Sequence, residues 1–181
     1  MASATIDACC LIDLCASGHA EPILGAVGHA WHLPIAVQSE VQYVRQPDPA
    51  DPRKLISVPV DLKPLLETGL LTLCQPDNQQ EADLFTQYAV QFRSDGEAMC
   101  MALAESRGWV IATDDRKAIR ISQQAGLTVI SCPQLVKTWA DTVHPSHGTL
   151  LKVLKSIELL AQFRPNPSMP DWQWWMDQLS H

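Results

Sequence analysis

Apolar residues along this chain fall in short blocks whose spacing switches repeatedly between strand-like runs and a helical period. Ala4 to Asp7 reads as a short buried strand ending on Asp7, with a helix following through about Cys15. Ser17, Gly18 and His19 break that helix, and a second runs from about Glu21 to His29. Leu33 to Val37 is extended, and a helix carrying Glu40 comes next. The stretch Gln46 to Pro52 (QPDPADP) is expected to be an exposed loop, because proline removes an amide donor and biases its predecessor away from the helical region.

Beyond the loop, Leu62 to Thr68 is a helix stopped by Gly69, and Leu70 to Cys74 a strand. Ala82, Phe85, Ala89 and Phe92 mark one face of a helix over Asn78 to Arg93. A helix opening at Ser94-Asp95-Gly96-Glu97 reaches about Arg107. Trp109 to Thr113 is a strand, Asp115 to Ala125 a helix, and Leu127 to Ser131 a strand. Strands alternating with helices at this spacing predict an α/β fold with a mostly parallel sheet covered on both faces.

The end of the chain differs in character. A short helix near Gln134 to Asp141 leads to His144-Pro145-Ser146-His147-Gly148, then a leucine-rich helix spans Thr149 to Phe163. After the proline-rich RPNPSMP, three tryptophans (Trp172, Trp174 and Trp175) fall inside four residues. We divide the chain into a catalytic-type domain over residues 1–143 and a helical appendix over 144–181 folded back on it. The tryptophans either anchor the appendix or form an exposed docking patch; packing is preferred, because most large aromatics on a small protein are at least partly buried.

A length of 181 residues suits one domain, and 46% apolar residues exclude general disorder. The formal charge of −7 argues against attachment to nucleic acid through a bulk positive field. It leaves room for a nuclease, since metal offsets part of the charge and a local strip such as Arg116, Lys117 and Arg120, or Arg53 and Lys54, suffices to guide a phosphate backbone; either strip reads equally well as solvated surface. Six cysteines without a signal-peptide pattern, most of them inside apolar runs, read as reduced buried thiols of a cytoplasmic protein. Cys10, Cys15 and His19, and the pairs His29/His32 and His144/His147, lack paired Cys-x-x-Cys spacing, which weighs against structural zinc. No apolar run approaches the ~20 residues of a membrane span.

The candidate chemistry lies in four acidic stations: Asp7, Glu40, Glu97, and Asp114 with Asp115. In a parallel sheet, sites form beyond the carboxyl ends of strands, where Asp7 and the Asp114-Asp115 pair are expected. Glu97 opens a helix that is apolar all round from Ala98 to Ala104, so its charge needs a cap, a neighbour or an ion. Each acid also has a plain structural reading. Asp7, Asp114 and Asp115 suit helix N-caps, Ser94 with Glu97 makes a capping box, and Glu40 suits a solvated helix face. The argument rests on their conjunction.

The ordered set resembles the PIN-domain nucleases, including toxin nucleases of VapC type and a branch marked by a GEA motif. The residues that carry the resemblance are Asp7 with Ala8, Leu11 and Ile12, then Glu40, Gly96-Glu97-Ala98 with Ala102-Leu103-Ala104, and Thr113-Asp114-Asp115 with Arg116. It covers residues 4–131. It implies a three-layer α/β/α domain that cleaves RNA with Mg²⁺ or Mn²⁺. Asp7, Glu97, Asp114 and Asp115 would be the metal ligands, with one or both of the adjacent aspartates facing the ion. Glu40 would join the catalytic set, and Thr113 and Arg116 would meet the substrate. The resemblance also admits a toxin role with an antitoxin protein as partner, and a homodimer. The competing reading is a catalytically silent module that binds protein or RNA through its tryptophan-rich tail. A phosphotransfer receiver is disfavoured because Ala8, not a second acid, follows Asp7 and no lysine ends the last strand. Dinucleotide binding is disfavoured because no Gly-x-Gly-x-x-Gly follows a strand.

Overall fold

A computed structural model of the chain describes residues 1–180; His181, the last residue of the predicted appendix, lies outside the described residues. Five strands build the central sheet: β1 (Ser3–Ile6), β2 (Ala30–Pro34), β5 (Leu71–Cys74), β6 (Val110–Ala112) and β7 (Val129–Ile130). They are all parallel, in the order β5-β2-β1-β6-β7, and register pairs Thr5 with His32 on one side and with Ile111 on the other. The strands are short and apolar because both faces are covered. Helices α1 (Ala8–Ser17), α2 (Ala20–Val27), α8 (Cys132–Val143) and α9 (His147–Ser156) pack with one another, as do α3 (Ile35–Glu40), α5 (Gln79–Ala89), α6 (Asp95–Arg107) and α7 (Arg116–Gln124). The result is the expected α/β/α layering.

Chain reversals follow from local chemistry. Gly18, Gly28, Gly69, Gly108 and Gly126 all have positive φ, and Gly18 and Gly108 sit at C-caps with amides returned to Cys15 and Ala104. Helix α6 holds an unbroken buried run from Ala98 to Ala104, as its all-round apolarity requires.

One prediction of irregular structure fails at its edges. Tyr43–Pro47 (β3) pairs antiparallel with Leu55–Pro59 (β4) in a separate two-stranded ribbon, leaving residues 48–54 as the connecting loop. Gln46 and Pro47, read as loop, belong to β3. Proline is tolerated there because it stands at the strand end of an isolated ribbon with no further partner.

A short α4 (Lys63–Glu67) precedes β5, and the C-terminal region comprises α9, a π-helical turn at Ile157–Ala161 and α10 (Trp172–Ser180). Val153, Leu154, Ile157 and Trp175 share one apolar cluster with Ala4, Leu11, Leu14 and Val136, so residues 144–180 are continuous with the core of the rest. Trp175 is fully covered; Trp172 and Trp174 are half-buried. No single helix among the described residues is long and apolar enough to cross a membrane, and α1 and α2 are bent by 119°.

Candidate active site

Asp7 follows β1 directly and caps α1, with its backbone amide still paired to the Ala112 carbonyl on β6. Its carboxylate is 3% exposed and tightly held. Oδ1 accepts from the Ala8 amide at 2.6 Å, and Oδ2 accepts from the Cys9 thiol at 3.1 Å and the Thr113 hydroxyl at 2.9 Å. Burial raises its pKa from the ordinary carboxylate value, against the pull of those three donors, and the charge of Glu40 adds to the rise.

Glu97 projects from the first turn of α6, its amide capped by Ser94 Oγ at 3.2 Å. Burial pushes its pKa up to about 7, and the charges of Asp7, Asp115 and Glu40 add to that in turn. Those three acids are therefore its electrostatic neighbours. Lys117 opposes them weakly, and its ammonium group is engaged by the Gln91 carbonyl and lies 5.4 Å from the centre of the Phe92 ring. Sequence alone shows no basic residue beside Glu97, because Lys117 reaches it through the fold.

Glu40, the last residue of α3, crosses to the start of α6. Its Oε1 accepts from Ser94 Oγ at 2.7 Å and the Gly96 amide at 2.9 Å, while Oε2 lies 2.9 Å from Ser94 Oγ. A solvated helix face is thus not its environment. The negative charge meets the helix N-terminus, where free amides and the helix dipole favour it.

The adjacent aspartates face different ways. Asp115 caps α7 with Oδ1, which accepts from Lys117 and Ala118 amides at 2.8 Å each, and its charge reaches Glu97. Asp114 turns back toward α8, where Oδ1 accepts from the Cys132 amide at 3.0 Å and Oδ2 is buried without a partner. Burial raises Asp114 to about 7. Its nearest group of ligand type comprises Asp13 and Cys132, neither of which was expected from sequence as a site residue. We accordingly place Asp115, and not Asp114, with Asp7, Glu40 and Glu97.

Thr113 also differs from expectation. It is fully buried, donates to Asp7 and accepts from the Asp115 amide at 3.2 Å, so its hydroxyl orients two acids and does not reach a substrate phosphate. Arg116 and Arg120 are exposed on α7 beside the acidic group.

The contrast with Glu81 shows what the group lacks. Glu81 is also covered, but Arg107 meets it in two bonds, Nε to Oε1 at 2.6 Å and Nη2 to Oε2 at 2.8 Å, which lowers its pKa to about 2. Asp7 and Glu97 have no such partner and are shifted upward. A buried acidic group with hydroxyl and amide donors around it but no arginine is suited to an oxygen-loving divalent cation. The side chains that would hold such an ion are Asp7, Glu97 and Asp115, with Glu40 fixing the end of α6.

No family model matches the chain, and neither a curated protein nor a solved structure matches it.

Proposed function

We propose that this protein is a metal-dependent ribonuclease of PIN type that hydrolyses RNA phosphodiester bonds at the Asp7, Glu40, Glu97 and Asp115 group. The observation that carries the reading is the mutual approach of these acids at the carboxyl ends of β1 and β6, with upward-shifted Asp7 and Glu97 and no arginine to balance them.

Bound Mg²⁺ or Mn²⁺ would supply a water of lowered pKa and positive charge against the phosphoryl oxygens. The chain's own contribution is orientation. Ala8, Cys9 and Thr113 hold the Asp7 carboxylate in one pose, and Thr113 ties the Asp115 backbone to that pose. Glu40 pins Ser94 and Gly96, which sets the direction in which Glu97 leaves α6. Arg116 and Arg120 stand where a phosphate backbone approaching α7 would meet them, a local positive edge on a chain of net charge −7. A toxin role, with an antitoxin that places a basic side chain over the acids, is the biological setting that fits this chemistry.

The deciding experiment is cleavage of structured and single-stranded RNAs with Mg²⁺, Mn²⁺ or EDTA, with the Asp7→Asn protein run in parallel. Cleavage should require metal and fall by at least about a hundredfold in the variant, since a ligand and three of its oriented bonds are altered. Equal cleavage by Asp7→Asn would remove Asp7 from the reaction.

A further inference from the structure

Behind the acids just described lies a second group that the ribonuclease reading does not use. Asp13 on α1, Asp114 after β6 and Cys132 at the first turn of α8 bring one carboxylate oxygen each and the thiol sulfur within 4.8 Å of one another. Cys10 sits one turn before Asp13 on the same helix face and is fully buried; its thiol hydrogen-bonds both Cys132 and Asp114.

This interior is unusual in what it leaves unsatisfied. Asp13 is 4% exposed, and its Oδ2 has no hydrogen-bond partner; Asp114 Oδ2 is likewise buried and unpartnered. Two carboxylate oxygens facing one another in apolar surroundings, with no lysine, arginine or histidine in the group, are costly without a proton or a cation between them. A shared proton satisfies one pair of oxygens and leaves the two thiols as bystanders. A cation satisfies all of them.

We propose that Asp13, Asp114 and Cys132, with Cys10 as fourth donor, form a structural zinc site distinct from the catalytic acids. Sulfur donors favour zinc over magnesium or manganese, which suit all-oxygen sites. Bonds of about 2.0–2.3 Å around a tetrahedral zinc bring ligand atoms to roughly 3.3–3.8 Å apart, a closure within reach of side-chain torsions from the present spacing. Cys132, and Cys10 with it, binds as thiolate and releases its proton to solvent. The ion would clamp α1, the turn after β6 and α8 to one another. That turn carries Thr113 and Asp115, so the clamp would also fix the back wall of the catalytic group. The cysteine spacing in sequence hides such a site, because its ligands come from three separated elements and two of them are carboxylates.

The test is metal content and cobalt spectroscopy on the full chain. Protein purified without added metal is assayed for zinc by mass spectrometry. It is also unfolded in chelator and refolded with Co²⁺, so that access to a buried site is not limiting. We expect about one zinc per chain, and a sulfur-to-cobalt charge-transfer band in the refolded protein. Both should persist in an Asp7→Asn, Glu97→Gln protein, which loses the catalytic ligands, and both should disappear in Cys132→Ser and in Asp13→Asn. Folded wild-type protein with neither zinc nor the charge-transfer band would overturn the site in favour of a proton shared by Asp13 and Asp114. Loss of the band in the Asp7→Asn, Glu97→Gln protein with retention in Cys132→Ser would overturn it in favour of metal at the catalytic acids alone.

Discussion

At the scale of single residues, Gly96 shows how closely the acids are fitted. It lies in the first turn of α6, where alanine would be the better helix former by about 0.8–1 kcal/mol. A Cβ built there would stand 2.6 Å from Glu40 Oε2 and 2.9 Å from both Cδ and Oε1. The glutamate tip is flexible in principle, but it is held by Ser94 and by the Gly96 amide itself. Gly96→Ala should therefore displace Glu40 and leave the helix standing. Metal-dependent RNA cleavage should fall by about tenfold or more, while the melting temperature stays within about 4 °C, the size of one lost hydrogen bond set against the propensity gain. Single-turnover kinetics and calorimetry decide it; undiminished cleavage would mean that the pose of Glu40 has no part in the reaction. The motif Gly96-Glu97-Ala98 was legible in sequence, but the reason for its glycine was not, since the atom it makes room for is 56 residues away. Nor does sequence separate Asp114 from Asp115. The turn after β6 sends one side chain to α8 and the other to the start of α7, and that depends on backbone angles which two identical neighbours do not reveal.

At the scale of elements, the parallel strands and their helices could be read from periodicity because burial on two faces makes each strand an apolar run and each helix an amphipathic or fully apolar block. The β3–β4 ribbon could not. Its strands are mostly exposed and rich in proline, so neither alternation nor apolar content marks them. Residues of the tail admitted two readings, anchor or docking patch, and the burial of Trp175 separates them. Its ring is covered and meets Phe163 edge-on at 6.2 Å, and its indole N–H donates to Glu158 at 3.3 Å. Trp175→Ala should cost about 3–5 kcal/mol, a fall in melting temperature of about 6–20 °C for a chain of this size. Trp172→Ala, at a half-buried position, should cost less than half as much. Thermal denaturation of both variants measures this directly. Equal, small losses would restore the docking-patch reading of α10.

For the whole molecule, the decisive quantity is the balance of protons between folded and unfolded chains. In the metal-free fold, burial holds Asp13 at about 9 and Asp114 and Glu97 at about 7, and raises Asp7 as well, against reference values of 3.8 for the aspartates and 4.5 for the glutamate. The folded chain therefore keeps protons that the unfolded chain has released. Stability from these groups is present in full below about pH 4 and is lost as pH rises toward about 9. Glu81 works in the opposite sense: its pKa is held near about 2 by Arg107, so its contribution is present above 4.5 and is lost as pH falls toward 2. The metal-free protein should thus be most stable in mildly acid solution, and its melting temperature should decline by several degrees between about pH 5 and about pH 9. Asp13→Asn should remove most of the decline above about pH 7, because Asp13 has the highest value of the set. Adding Mn²⁺ and Zn²⁺ should flatten or reverse the slope, since metal replaces the protons and binds more tightly as they leave. Circular-dichroism melts across this range, with and without metal, give the sign. A metal-free melting temperature that rises steadily to pH 9 would mean that these carboxyls are already ionised in the fold, and the electrostatic argument for cations at either group would lose its basis.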